Sequence, residues 1–152
     1  MSEEMLKALA MSGGYATVAL AAIGSAVGSS IAGQAAIAAW KRCYAQGKRA
    51  PFQLTILTGV PMSQTFYGLV LMLQVLGIEN TAYWPAALSI GVLGGLGIGA
   101  SAAYQGRAAA GACDSFAETN KGFANNLIAL GIVETIAIFV LVFGIMFLGK
   151  LA

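Results

Sequence analysis

Residues 131–147, GIVETIAIFVLVFGIMF, are apolar almost throughout, yet they contain one carboxylate, Glu134. A membrane-spanning helix needs about 20 predominantly apolar residues, and this stretch with its flanks is long enough to be one. An unpaired charge in the middle of a bilayer costs at least about 3 kcal/mol. The sequence therefore predicts a membrane helix whose acidic residue has partners elsewhere in the chain.

The rest of the chain has the same membrane character. Of its 152 residues, 59% are hydrophobic and only 9% are charged, whereas soluble domains usually carry about 25% charged residues. The formal net charge of +2 is too small to indicate a nucleic-acid partner. With no histidine and two isolated cysteines, no zinc, haem or iron–sulfur ligand set can be assembled. The acidic N-terminus is unlike a signal peptide, so the first hydrophobic segment is expected to be retained.

Four apolar stretches are long enough to cross a bilayer, and the connections between them are short. A helix satisfies its own backbone polar groups, as lipid requires. We therefore predict an all-α membrane protein of two helical hairpins, residues 12–80 and 81–152. The predicted spans are residues 15–40, 52–78, 84–113 and 123–148.

Basic residues set the expected orientation. The first connection contains four basic residues, and the second contains none. The positive-inside rule then places residues 41–50 and 114–122 in the cytoplasm and both termini outside. Asp114 and Glu118 offset the basic residues near the third connection, so the first connection determines this prediction.

The two hairpins repeat each other along the chain. An offset of 71 aligns the first span with the third, and an offset of 70 aligns the second span with the fourth. Two helices per repeat give parallel rather than inverted repeats. The aligned polar pairs are Ser30 with Ser101, Gln34 with Gln105, and Gln64 with Glu134.

The helices differ in bulk. The first and third spans are dense in glycine, alanine and serine, whereas the second and fourth are rich in large apolar residues. Small residues on one face let helix backbones approach closely in a membrane. This pattern suits the crowded inside of a ring with the bulky helices facing lipid, and it suits a compact four-helix bundle equally well.

Polar side chains in two other spans are expected at the depth of the carboxylate. At 1.5 Å per residue, Glu134 lies about 20 Å from the expected start of its helix, and no Lys or Arg is expected at that depth. The motif VPMSQTFYG in the second span offers Ser63, Gln64 and Tyr67, and Gln105 lies in the third span. Such groups often only bond helices together, but a lone intramembrane acid favours a functional site.

The donor atoms favour a cation. Pro61 lacks an N–H and disturbs the helix around it, which is expected to free the carbonyl of Val60. A carboxylate, amide oxygens, a hydroxyl and a carbonyl form an all-oxygen set, which hard cations such as Na⁺ prefer. A proton needs only the carboxylate, so the two glutamines favour a metal ion.

On the motifs VPMSQTFYG, AYQGRAAAG and VETIAI, the chain resembles the proteolipid (K or c) subunits of V-type ATPases, most closely the bacterial sodium-translocating kind. The resemblance covers nearly the whole chain and implies that Glu134 is the ion-carrying carboxylate. The ligands it implies are the amides of Gln64 and Gln105, the hydroxyl of Ser63 and the backbone carbonyl of Val60, with Tyr67 holding the carboxylate.

Two of these positions depart from the usual pattern of the family. Ser63 stands where Thr is usual, which keeps the oxygen and loses a methyl group, and Val60 stands where Leu is usual. Proton-carrying relatives generally lack the paired glutamines. The resemblance therefore implies Na⁺ as the transported ion, with H⁺ as the alternative.

The resemblance also implies a mechanism and partners. Many copies form a ring in the lipid of the bacterial cell membrane and rotate against a stator subunit that bears a membrane arginine. Other subunits hydrolyse ATP and drive the ring through a central shaft on the cytoplasmic side. The sequence has no GxxxxGK[ST] motif, so we expect a non-catalytic, ion-carrying subunit. A stand-alone small transporter or channel bundle is the rival of another class, and the short loops and single acid argue against it.

Overall fold

The computed structural model describes residues 1–151, and within that range the regular structure is entirely helical. Four segments are long and apolar enough to cross a membrane. The prediction of an all-α protein with four spans is therefore confirmed. The helices are α1 (Glu3–Ala45), α2 (Gln53–Gly59), α3 (Ser63–Leu76), α4 (Trp84–Thr119) and α5 (Phe123–Leu148), with 3₁₀ turns at Val60–Met62 and Thr81–Tyr83.

Two helices run further than their apolar stretches. Because α1 ends at Ala45 and α4 at Thr119, Arg42 and Asp114 lie on helices and not in the predicted connections. Hydropathy marks where a helix leaves lipid, whereas the alanine-rich ends of these helices continue to form helix in water. The connections after α1 and α4 turn at Gly47, Asn120 and Gly122, which adopt left-handed backbone conformations with φ of 65°, 52° and 75°.

An ion pair joins the ends of these two helices. The guanidinium of Arg42 donates to the carboxylate of Asp114. The first and third connections therefore lie at the same end of the molecule, as two parallel hairpins require.

The second span is interrupted at its proline. α2 ends at Gly59, the 3₁₀ turn follows, and α3 begins at Ser63. In an α-helix the N–H of residue 61 would bond the carbonyl of Leu57. Because proline has no N–H, the carbonyl that loses a hydrogen bond is that of Leu57 and not that of Val60. The carbonyl of Val60 accepts the backbone N–H of Ser63 in the tighter turn. The prediction that Pro61 frees the Val60 carbonyl is wrong in this detail.

α1 and α4 pack backbone against backbone through their glycines. A Cβ added at Gly24 would lie 2.0 Å from the carbonyl oxygen of Gly99. One added at Gly106 would lie 2.1 Å from the carbonyl oxygen of Gly28. The contacts advance in the same direction along both helices, so the pair is parallel. α3 packs against α1, α4 and α5, and α5 packs against α3 and α4, which gives an inner α1–α4 layer and an outer layer of bulkier helices.

The offset of 71 pairs some buried positions of α4 with exposed positions of α1. Gln105 is buried and contacts α5, whereas its aligned partner Gln34 is exposed. Ser101 and Ser30 differ in the same way. Two residues before Gln34, Ala32 is fully buried, so Gln34 lies on a different face of α1. Two residues turn a helix by about 200°, which is enough to exchange its buried and exposed faces.

The close approach of α1 and α4 makes a testable prediction. We expect Gly106→Ala to destabilise the protein by about 1–3 kcal/mol, because its methyl group meets the backbone of Gly28 and the helices must separate. Gly111 is the matched control on the same helix, since a Cβ there meets nothing within 4 Å. Thermal unfolding of the detergent-solubilised variants, followed by circular dichroism, measures both. Equal unfolding temperatures for the two variants would contradict the packing.

Candidate ion site around Glu134

Glu134 lies on the one buried stripe of a largely exposed helix. The buried residues of α5 include Leu130 and Ala137, four positions before and three after the acid, so Glu134 points toward the other helices. α5 begins at Phe123, which puts Glu134 about 16 Å along the helix at 1.5 Å per residue. The helix begins at the predicted residue, so the expected distance of about 20 Å was too long.

Three side chains from two helices donate hydrogen bonds to the carboxylate. The hydroxyls of Ser63 and Tyr67 both lie 2.6 Å from Oε1 of Glu134. Nε2 of Gln105 lies 3.3 Å from Oε2. Ser63 and Tyr67 stand four residues apart on α3, so they share one helix face. The structure thus brings together the side chains that the sequence predicts as partners of Glu134.

The two glutamines form a fully buried layer beside the carboxylate. Gln64 and Gln105 are both 0% exposed. Nε2 of Gln64 donates to Oε1 of Gln105 at 2.7 Å, and Nε2 of Gln105 donates to the carbonyl of Leu130 at 3.0 Å. Gln105 therefore faces Glu134 with its amide nitrogen and faces Gln64 with its oxygen.

The hydroxyl of Ser63 is surrounded by acceptors. Its Oγ lies 2.6 Å from Oε1 of Glu134, 3.1 Å from the carbonyl oxygen of Val60 and 3.2 Å from Oε1 of Gln64. A serine hydroxyl has one proton to donate. Three acceptor oxygens around that single proton leave lone pairs directed at one another, which is an environment that a positive charge stabilises.

Ser101 is a site residue that sequence reasoning missed. Its Oγ donates to the carbonyl of Val133 at 2.9 Å, the residue directly before Glu134. Ser101 and Gln105 are one helical turn apart on α4, so their two bonds attach consecutive turns of α5. The i, i+4 spacing that puts Ser101 on the face of Gln105 is the signal in the sequence that could have identified it.

One basic residue lies closer to the site depth than predicted. Arg107 follows Gln105 by two residues, which is about 3 Å along the helix axis. It points away from the carboxylate, because two residues turn the helix by about 200°, and its guanidinium lies 5.0 Å from the ring centre of Tyr104. Arg107 therefore does not neutralise Glu134 within the chain.

The buried amide layer makes a second prediction. In Gln105→Leu, the amide nitrogen of Gln64 loses its partner in a fully buried place, and the carbonyl of Leu130 keeps only the bond within α5. A buried group left unpaired costs about 1–3 kcal/mol, so α5 should detach more readily. The matched control is Gln34→Leu, since Gln34 is exposed and bonds only Ser30 of its own helix, and it should change stability by less than about 0.5 kcal/mol.

Unfolding of both variants by titration with a denaturing detergent gives the free energies. A Gln105→Leu protein as stable as Gln34→Leu would show that the amide layer does not hold α5.

One family comparison bears on the site. Residues 88–147 match the family model that describes the C subunit of ATP synthase. The matched segment covers most of α4 and nearly all of α5, so it contains Gln105 and Glu134. It covers less than half of the 152-residue chain and leaves out Ser63, Gln64 and Tyr67. No curated protein matched the chain.

The match and the fold agree with each other. Members of the matched family form oligomeric rings within ATP synthases. The four membrane-length helices support an integral, multi-pass membrane protein. The second hairpin, with its acid in the middle of an apolar helix, supports a rotor proteolipid similar to the C subunit of ATP synthase.

Proposed function

We propose that the chain is the rotor-ring subunit of a rotary V-type ATPase, and that Glu134 carries Na⁺ across the membrane. The observation that supports this most strongly is the acceptor-rich surrounding of Ser63, where a hydroxyl, a carboxylate oxygen, an amide oxygen and a carbonyl oxygen meet. Hard cations bind oxygen ligands of this kind. One carboxylate neutralises one monovalent cation.

In this proposal Na⁺ takes its ligands from three helices and one turn. Glu134, Gln64 and Ser63 supply side-chain oxygens, and Val60 supplies its carbonyl. Gln105 joins them when its amide group turns by half a rotation, which exchanges its nitrogen and oxygen and gives up its bonds to Gln64 and Leu130. Tyr67 remains bonded to Oε1 of Glu134 and fixes the carboxylate.

Neutralisation of Glu134 is what allows the ring to turn. Glu134 is half-buried, and the rest of α5 presents large apolar side chains outward. A bare carboxylate facing hydrocarbon costs at least about 3 kcal/mol, whereas a carboxylate paired with Na⁺ carries no net charge. A stator arginine then competes with the ion for the carboxylate and releases it. A headpiece hydrolyses ATP and turns the ring through the central shaft.

The number of carboxylates per chain favours a pump. Gln64 in the first hairpin aligns with Glu134 in the second, so four helices hold one acid. A ring of given circumference then carries about half as many ions per turn as one with an acid in every hairpin. For a fixed amount of ATP per turn, each ion is driven against a steeper gradient. We place this pump in the bacterial cell membrane.

The identity of the ion is tested by carbodiimide labelling, which modifies protonated buried carboxyl groups. Millimolar Na⁺, compared with K⁺, should slow the labelling of Glu134 near neutral pH in the purified protein. Gln64→Ala should lose this protection, because the cation loses a ligand, and Gln34→Ala should keep it. Glu134→Gln gives the background.

Two results would contradict the proposal. Equal labelling of Glu134 in Na⁺ and in K⁺ would indicate that the transported ion is the proton. Full protection in Gln64→Ala would show that Gln64 only joins helices and that the ligand set is wrong.

The orientation is a separate prediction. We expect Gln46→Cys, in the first connection, to react with a membrane-impermeant maleimide from the cytoplasmic side only. Ala82→Cys, in the second connection, should react only from the opposite side. The native Cys43 and Cys113 are buried, so the background is low. Labelling of Gln46→Cys from outside would contradict the predicted orientation.

A further inference from the structure

Two serines in the middle of α1 have buried hydroxyls without a hydrogen-bond partner. Within residues 1–151, the Oγ atoms of Ser25 and Ser29 are shielded from solvent and bond no other group. Ser25 as a whole is only 5% exposed. A serine inside a helix commonly bonds a carbonyl of the preceding turn, and neither of these does. Because an unpaired hydroxyl in such a place is destabilising, both serines need a partner.

α1 passes the second span in the antiparallel direction at this level. A Cβ added at Gly68 would lie 2.6 Å from the Cβ of Ala21. One turn and a half further along α1, a Cβ added at Gly28 would lie 2.9 Å from the Cβ of Pro61. As the residue number rises by seven along α1, it therefore falls by seven along the second span.

The two serines lie on the face of α1 that meets the second span. Ser25 and Ser29 follow Ala21 at steps of four residues, so they continue its face along the helix. Ser29 directly follows Gly28, so its level differs from that of Pro61 by about 1.5 Å. The orphaned hydroxyls are therefore beside the break in the second span.

The break supplies a matching acceptor. Pro61 has no N–H, which leaves the carbonyl of Leu57 without its helical donor. A helical carbonyl points along the axis toward the residue four positions later, so this one points toward the level of Ser29. The side chains of Leu57 and Pro61 are fully buried. Two hydroxyls without partners and a carbonyl that has lost its donor thus lie on the two sides of one helix contact.

We propose that an ordered water molecule binds between Ser25, Ser29 and the carbonyl of Leu57. It accepts hydrogen bonds from the two hydroxyls and donates one to the carbonyl, and three bonds are typical of a buried water. All three groups are uncharged, which favours a neutral ligand over an ion. In membrane helices, serine side chains and ordered waters satisfy the backbone groups that a proline frees.

The water stabilises the turn that carries part of the ion site. The 3₁₀ turn begins at Val60 and leads into Ser63, whose hydroxyl bonds Glu134. By joining this turn to α1, the water fixes the position of the Val60 carbonyl and the Ser63 hydroxyl. Ser25 and Ser29 are therefore positioning residues for the cation, a role that rests on the function proposed above, whereas the water site itself does not.

The water site is tested by X-ray footprinting of the purified protein, in which radiolysis of an ordered water oxidises the side chains beside it. We expect oxidation of Leu57 and Pro61, although both are fully buried. Leu71 is the internal control, because it is also a fully buried leucine and should stay unmodified. Mass spectrometry of the peptides measures all three residues.

A second measurement uses the sign of a stability change. The double variant Ser25→Ala/Ser29→Ala loses the water and its bonds, so its unfolding constant should rise about tenfold, and the oxidation of Leu57 should disappear. Hydroxyls that were merely unpaired would give the opposite sign, because their removal relieves a cost. Ser30→Ala, at an exposed serine of the same helix, should change the constant by less than about twofold.

The positioning role has a readout of its own. Half-maximal protection of Glu134 from carbodiimide should need several-fold more Na⁺ in the double variant than in Ser30→Ala, since displaced ligands bind a cation less well. An equal requirement for Na⁺ would exclude the positioning role. A lack of protection in the unchanged protein would contradict the proposed function and would not alter the footprinting result.

Two outcomes overturn the water site. Unmodified Leu57 and Pro61 in the unchanged protein would show that no water lies beside the break. A double variant that unfolds as readily as the unchanged protein, or less readily, would show that the hydroxyls bond no water. Where the double variant does not fold, footprinting of the unchanged protein decides alone.

Discussion

Placing a single carboxylate within a membrane is the constraint on which the rest of the structure depends. Glu134 needs hydrogen-bond donors that water cannot supply, and the chain provides them from α3 and α4. The break at Pro61 allows a 3₁₀ turn that ends at Ser63, and Gln105 links the carboxylate to the backbone of α5. The same polar groups that solvate the acid therefore hold the outer helices on the inner layer.

The site lies across the two hairpins. Glu134 and Gln105 come from the second hairpin, whereas Ser63, Gln64 and Tyr67 come from the first. The family match at residues 88–147 covers only the second hairpin, and with it the acid and one glutamine. What distinguishes this site from a lone carboxylate thus resides in α3, and the tight packing of α1 on α4 is what brings α3 within reach.

The sequence was sufficient to predict the four spans and the partners of Glu134, because both follow from local composition. It was insufficient for quantities that depend on rotation about a helix axis. The offset of 71 aligned Gln34 with Gln105, although Gln34 is exposed and Gln105 is buried. Arg107 lies within the predicted third span, residues 84–113, but a span does not tell which side of its helix a residue occupies.

The glycine contact between α1 and α4 has a mechanical consequence. Side chains between helices act as soft spacers, since rotamer changes let them yield under load. Between Gly24 and Gly99 there is no side chain, and one backbone rests directly on the other. Close-packed groups have low compressibility and transmit strain. In a rotating assembly, such a pair deforms little under torque, so that compliance, and any energy stored elastically between ion steps, must reside in other parts of the machine.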